Sequence, residues 1–152
     1  MEYFRLYEKA PGRSPLGFGN AGGRWNVPGV PMIYACSYSA LNFLEMLSIR
    51  GPVVTSVPWV LIVFELNEEP QYLSTSALPD LWNALPYGKG TVSLGSQWAV
   101  EGEMPFLQVP SAKLPLERYP EEHNLLINPL FPNVETLIEI TEVVDVGFLV
   151  NS

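Results

Sequence analysis

The segment Gly17-Phe-Gly-Asn-Ala-Gly-Gly-Arg-Trp-Asn26 sets one arginine behind a run of glycines, just ahead of an apolar strand and a helix carrying Glu45. Glycine lets a ligand approach the backbone closely, and a guanidinium can offer two parallel charge-assisted hydrogen bonds, so this pairing suits a phosphate-bearing ligand. Arg24 could grip a pyrophosphate in this way; equally, it could brace its loop by bonding backbone carbonyls. Arg5, on the opening strand, is a second candidate anion contact, against the commoner role of a solvated or ion-paired strand arginine.

Glu45 lies in Leu41-Asn-Phe-Leu-Glu-Met-Leu47, where helical spacing aligns Asn42, Glu45 and Ser48 on a polar stripe beside Ala40, Leu44 and Leu47. Such a stripe is most simply a solvent face. If instead it lines a cleft opposite Arg24, its carboxylate could stabilise positive charge developing on a sugar carbon as a leaving group departs. Tyr34 shares its strand face with Met32 and Cys36, so it is either core or an aromatic wall for a sugar or heterocycle. Ser111 follows Pro110 directly and reads as a turn residue; no Gly-x-Ser-x-Gly elbow or neighbouring base supports a nucleophile. His123, alone before a strand, reads as structural.

Two phosphate motifs fail on inspection. Gly17, Gly19 and Gly22 spell the dinucleotide fingerprint, but Pro11, Gly12 and Pro15 precede it and Pro28, Gly29 and Pro31 follow, where a strand and a helix are required. Lys89 in Gly88-Lys-Gly-Thr91 would end a phosphate loop, but position 83 is Asn instead of Gly. Cys36 and His123 are the sole residues of their types, which rules out an internal disulfide and an ordinary zinc site, so metal-free chemistry is expected. The net charge of -8 argues against a nucleic-acid surface over the whole molecule. Charge is uneven, however: residues 1 to 50 carry a net +2 and the remainder -10, which favours the first third for an anionic ligand. Met1-Glu-Tyr-Phe-Arg5 shows no signal peptide and no apolar run spans a bilayer, so a cytoplasmic location is expected.

These residues need a scaffold. The length fits one domain with a real core, here expected over residues 1–152. Strands are expected at Tyr3–Tyr7, Met32–Cys36, Val60–Leu66, Phe106–Val109 and Asn124–Asn128, the third buried on both faces. One or two more are expected after Val134. Helices are expected at Ala40–Arg50, capped by Ser37 or Ser39 and closed by Gly51 and Pro52, and at Leu78–Leu85 and Thr91–Gly102. The result is a single α+β domain.

The ordered series Gly22-Gly-Arg-Trp-Asn26, Ile33-Tyr-Ala-Cys-Ser37, Leu44-Glu45, Val109-Pro-Ser-Ala112 and Asn124-Leu-Leu-Ile-Asn-Pro129 resembles the RES domain, named for its arginine, glutamate and serine. The resemblance runs from about Tyr3 to Pro132. It implies a compact fold similar to ADP-ribosyltransferases, with a central mixed sheet flanked by short helices, and a toxin of the bacterial Xre-RES toxin-antitoxin class that consumes NAD. It assigns Arg24, Glu45 and Ser111 to the three motif positions and Tyr34 to a tyrosine of the NAD pocket. The implied reaction is cleavage of the nicotinamide-ribose bond, with water or phosphate as acceptor. Transfer of ADP-ribose to a protein and a non-catalytic nucleotide-binding or interaction module are the alternatives. An Xre-type helix-turn-helix antitoxin is the implied partner, and homodimerisation is allowed. RES domains commonly end in a strand with phenylalanine, aspartate and arginine; here Val144-Asp-Val-Gly-Phe148 lacks the arginine, and Cys36 stands where serine or threonine is frequent.

Overall fold

The computed structural model describes residues 1–150. A seven-stranded sheet runs through them, built from β1 (Glu2–Glu8), β2 (Ile33–Cys36), β3 (Trp59–Leu66), β4 (Gln71–Tyr72), β5 (Phe106–Val109), β6 (Asn124–Ile127) and β7 (Ile138–Val146). Their spatial order is β4-β5-β6-β2-β1-β3-β7, parallel between β4 and β5 and antiparallel elsewhere. The α+β class with a mixed central sheet is therefore as expected. Two helices, α1 (Ser39–Arg50) and α2 (Lys89–Glu101), complete it.

Pairing divides the sheet into two halves. β1, β3 and β7 pair along most of their length, as do β2, β5 and β6, but β1 and β2 share one register pair, Phe4 with Cys36. One face of both halves is covered continuously by a core that includes Tyr3, Ile33, Ile62, Phe64, Phe106 and Leu125. On the other face the two halves carry separate cores. Leu6 and Trp59 pack under Phe43 and Met46 of α1, while Leu107, Val109 and Leu126 pack with Trp25 under Ala99 of α2. Alternating side-chain directions along each strand send neighbouring residues to opposite faces, and burial of each large side chain contributes about 1.5–3 kcal/mol. The groove between α1 and the glycine-rich loop, above the β1–β2 junction, is left open.

Several local readings need correcting. Residues 78–85 form turns, not a helix, although Leu78, Trp82 and Leu85 imitate helical spacing; Pro79 and Pro86 bracket the run. No serine caps α1: Tyr38 occupies the N-cap without a side-chain bond, and the Ser37 hydroxyl instead accepts the His123 N–H at 2.9 Å. The two-residue β4 has no counterpart among the expected strands. After Val134 a short 3₁₀ turn leads into a single strand, β7, and Phe148 beyond it packs edge-on against Phe43 and Trp59.

Candidate functional site

The open groove is a cleft of about 860 Å³, a size that holds a nucleotide-scale ligand. One wall is α1. The other is the glycine-rich loop, held against α2.

The loop is more ordered than its composition suggests. Gly23 and Asn26 exchange backbone hydrogen bonds of 3.0 and 3.3 Å, which places Arg24 and Trp25 at the tip of a tight turn. The Tyr34 hydroxyl accepts the Trp25 N–H at 3.1 Å and donates to Asn26 Oδ1, while Asn26 Nδ2 donates to the carbonyls of Ala21 and Val30. A Cβ on Gly23 would stand 2.7 Å from that hydroxyl, so only glycine fits. Trp25 is buried against α2, where Gly95 allows an approach so close that a Cβ would lie 1.9 Å from the Trp25 carbonyl oxygen. Ser96 Oγ accepts the Val27 N–H at 2.8 Å from the same helix. With Trp25 locked inward, Arg24 projects to the cleft.

Arg24 takes the bracing role that the sequence left open, and its side chain also borders the cleft. Its Nη1 donates to the carbonyls of Trp82 and Ala84 at 2.9 and 3.0 Å, and its guanidinium lies 5.9 Å from the Tyr87 ring centroid, so it ties the 78–88 segment to the loop. Among the described residues these bonds run through Nη1 alone, and the side chain also lines the cleft. Burial lowers its pKa from the ordinary value, and the nearby Glu45 charge pulls it back up.

Glu45 enters the same cleft from α1. Asn124 Nδ2 donates to its Oε2 at 2.7 Å. Its Oε1 is buried without a hydrogen bond, and the Lys113 ammonium lies 3.6 Å from it. The remaining stripe residues diverge: Ser48 is exposed, whereas Asn42 is buried and donates to the Phe4 carbonyl at 2.8 Å, at the β1–β2 junction. The Tyr34 ring lines the cleft with Met32 and Cys36, and burial raises the pKa of its phenol.

The other two candidates are placed differently. Arg5 lines the cleft, but its guanidinium donates to the carbonyls of Pro15 and Gly17, making it a clamp for the loop; burial lowers its pKa to about 10. Ser111 is buried outside the cleft lining, and its hydroxyl accepts the Lys113 N–H at 3.1 Å. It shapes the turn after β5 that delivers Lys113. Lys113 and Asn124 were not singled out as chemical residues from sequence; both reach Glu45 through chain crossings that no local pattern announces.

The cleft is electrostatically distinct. Arg5, Arg13, Arg24, Arg50 and Lys113 line it against Glu8 and Glu45, in a chain with eight basic and sixteen acidic side chains. Among the described residues no group of three or more His, Cys, Asp or Glu could hold a metal ion, and no helix is long and apolar enough to cross a membrane.

Comparison with known proteins places this architecture. A protein of Sphingobium sp. (strain YBL2), named Prs ADP-ribosylating toxin, is 36% identical over 135 residues, covering 86% of this chain and 80% of its own. A protein named Toxin Res from Photorhabdus laumondii is 29% identical over 83% of this chain and 78% of its own. Among solved structures, the Mycobacterium tuberculosis MbcT-MbcA toxin-antitoxin complex contains a chain with the same fold, at a TM-score of 0.66 and 17% identity, covering 96% of this chain and 84% of that one. The RES domain matches residues 3–148, carrying the turn with Arg24, the helix with Glu45 and the turn with Ser111 within one match, and the chain therefore belongs to the RES domain family.

Proposed function

We propose that the cleft binds NAD as substrate and that the chain is a RES toxin that breaks the bond between nicotinamide and ribose. The observation that carries this reading is the entry of Arg24 and Glu45 into one cleft from two different walls, with Glu45 Oε1 buried and free of hydrogen bonds. The pyrophosphate would lie near Arg24, on the side of the guanidinium not spent on the 78–88 segment. The nicotinamide riboside would fold toward Glu45, between the Tyr34 ring and α1. Departure of nicotinamide leaves positive charge on the ribose carbon, and a fixed carboxylate with an unused oxygen stabilises that charge, directly or through a ribose hydroxyl. Asn124 holds the other oxygen in place, so little reorganisation is needed as the charge develops. Ser111 acts at one remove, through the turn that carries Lys113.

The test is release of free nicotinamide from NAD by the purified protein. Glu45→Gln keeps the shape and removes the charge, so a fall of about 10²-fold or more in rate is expected with an unchanged circular dichroism spectrum. Full activity in that variant would remove Glu45 from the mechanism.

Transfer of ADP-ribose onto a protein is the second reading, favoured by the name of the Sphingobium relative. Mass spectrometry of a cell extract after exposure separates the two, by a modified protein or by NAD loss alone. On either reading a cell making the protein needs it silenced. An Xre-type antitoxin covering the cleft would do so, a reading supported by the toxin-antitoxin title of the structural neighbour.

A further inference from the structure

We propose that Cys36 is a positioning residue for the reaction: its thiol proton fixes which way the Asn124 amide faces, and through that amide it fixes the Glu45 carboxylate. The inference deepens the NAD reading and rests on it for the reaction served. It starts from a chain of three side chains on the cleft lining. Cys36 on β2 and Asn124 on β6 are register partners, so their side chains stand side by side on one face of the sheet. Both are buried. The Cys36 thiol donates to Asn124 Oδ1 at 3.3 Å, and Asn124 Nδ2 donates to Glu45 Oε2 at 2.7 Å. All three residues line the cleft.

A primary amide has two ends of nearly the same shape and opposite polarity, and only one orientation satisfies both neighbours here. Turned over, Asn124 would set its carbonyl oxygen against a carboxylate oxygen, and two acceptors at that spacing repel. Its amino group would then face a sulfur that carries a proton and accepts only weakly. The proton stays on the sulfur, because burial and the nearby Glu45 charge push the Cys36 thiol well above its ordinary range. The thiol is therefore a fixed donor at the far end of the chain. The helix is fastened at the same place: about one turn before Glu45, Asn42 donates to the carbonyl of Phe4, which is the register partner of Cys36 on β1. Glu45 is thus tied down through its helix and through Oε2, which leaves Oε1, without a hydrogen bond, as the oxygen offered to the substrate.

Neither Cys36 nor Asn124 brings a charge to the substrate, so loss of the chain should act on kcat more than on KM. A carboxylate free to swing loses its aim, and a misplacement of about 1 Å is worth about 10²-fold in rate. Cys36→Ala keeps the Asn124 side chain but lets its amide turn, so a smaller loss, about tenfold, is expected.

Two measurements test the assignment. The first needs no substrate. Cys36 is the sole cysteine, so the S–H stretching band in the infrared or Raman spectrum reports on it alone. The band is expected at the low frequency of a hydrogen-bonded thiol, and Asn124→Leu should raise it to that of a free thiol. Asn124→Asp keeps the shape of the side chain and serves if Asn124→Leu fails to fold; its stronger acceptor should lower the frequency further. A free-thiol band in wild type that neither variant moves overturns the contact. The second measurement is nicotinamide release from NAD. Cys36→Ala is expected to lower kcat about tenfold with KM little changed, and Cys36→Ser, which restores a donor, should recover most of the rate. Asn124→Asp should move the acid limb of the kcat profile to higher pH. A second carboxylate then joins the groups that face Glu45, which are Arg24 from the loop, Tyr34 and Cys36 from β2, and Lys113 from the turn after β5. Equal kcat in Cys36→Ala and Cys36→Ser, or an acid limb that Asn124→Asp leaves in place, overturns the positioning role. A hydrogen-bonded thiol band without any nicotinamide release by wild type would instead sink the NAD reading and leave the oriented amide standing.

Discussion

At the scale of single residues, the arrangement around Glu45 shows what kind of signal a sequence can carry. Arg24 stands out because glycines surround it, and Glu45 because it interrupts an apolar helix. Asn124 and Lys113 have no such setting: one begins an apolar strand and the other follows Ala112 in a turn between Pro110 and Pro115, and only the fold brings them to the carboxylate. Ser111 was legible as a motif member and as a turn residue, and the turn is where its hydroxyl is spent. Ser111→Ala is therefore expected to cost about 1 kcal/mol of stability, the worth of one hydrogen bond, measured by urea denaturation. On the proposed reaction, its effect on NAD turnover should fall well short of that of Glu45→Gln.

At the scale of elements, strands with strong apolar patterns were legible and connections were not. Val60–Leu66 lies within the observed β3, covered on both faces, because a continuous β-branched run suits that environment. Residues 78–85 carried an equally apolar pattern yet form turns, since their carbonyls at Trp82 and Ala84 bond to Arg24 instead of closing helical turns. The tight turn at Gly23–Asn26 was equally hidden, because neither Arg24 nor Trp25 is a usual hairpin residue and the clasp is made by Tyr34 and by α2. Gly95 offers a decisive test of that clasp. Gly to Ala inside a helix ordinarily stabilises by about 1 kcal/mol, but here the added carbon collides with the Trp25 carbonyl. Gly95→Ala is expected to lower stability by about 1–3 kcal/mol and, on the proposed function, to weaken NAD binding by displacing Arg24. A raised Tm with an unchanged KM would contradict the packing described.

For the whole molecule, the sequence located positive charge in the first third, and the fold redraws that boundary. Lys113 comes from the acidic remainder of the chain yet lines the same cleft as the early arginines. The core also sets a pH limit. His123 is buried, and its Nδ1 at 2.7 Å from the Pro120 carbonyl must be the donor, which leaves Nε2 to accept from the Tyr3 hydroxyl at 2.9 Å. Burial lowers its pKa below the ordinary 6.5. Above that value neither state binds the proton and the contribution to stability is intact. As pH falls below it, the unfolded chain takes up a proton that the folded chain resists, so stability declines until the folded value is passed. Unfolding free energies from denaturant titrations between pH 7 and pH 5 should fall by no more than about 1.4 kcal/mol per pH unit from this group, and His123→Gln should flatten the slope.

The single register pair between β1 and β2, with Asn42 stitched to the Phe4 carbonyl beside it, gives the sheet a narrow seam. Elsewhere along that boundary the strands do not hold each other, and the two groups of side chains that form the walls belong to different cores. A molecule gripped at once by the arginine turn and by α1 becomes a second fastening across this seam. Occupancy would then be felt far beyond the groove, as slower amide exchange in both groups of strands, because ligand and seam carry the same mechanical load.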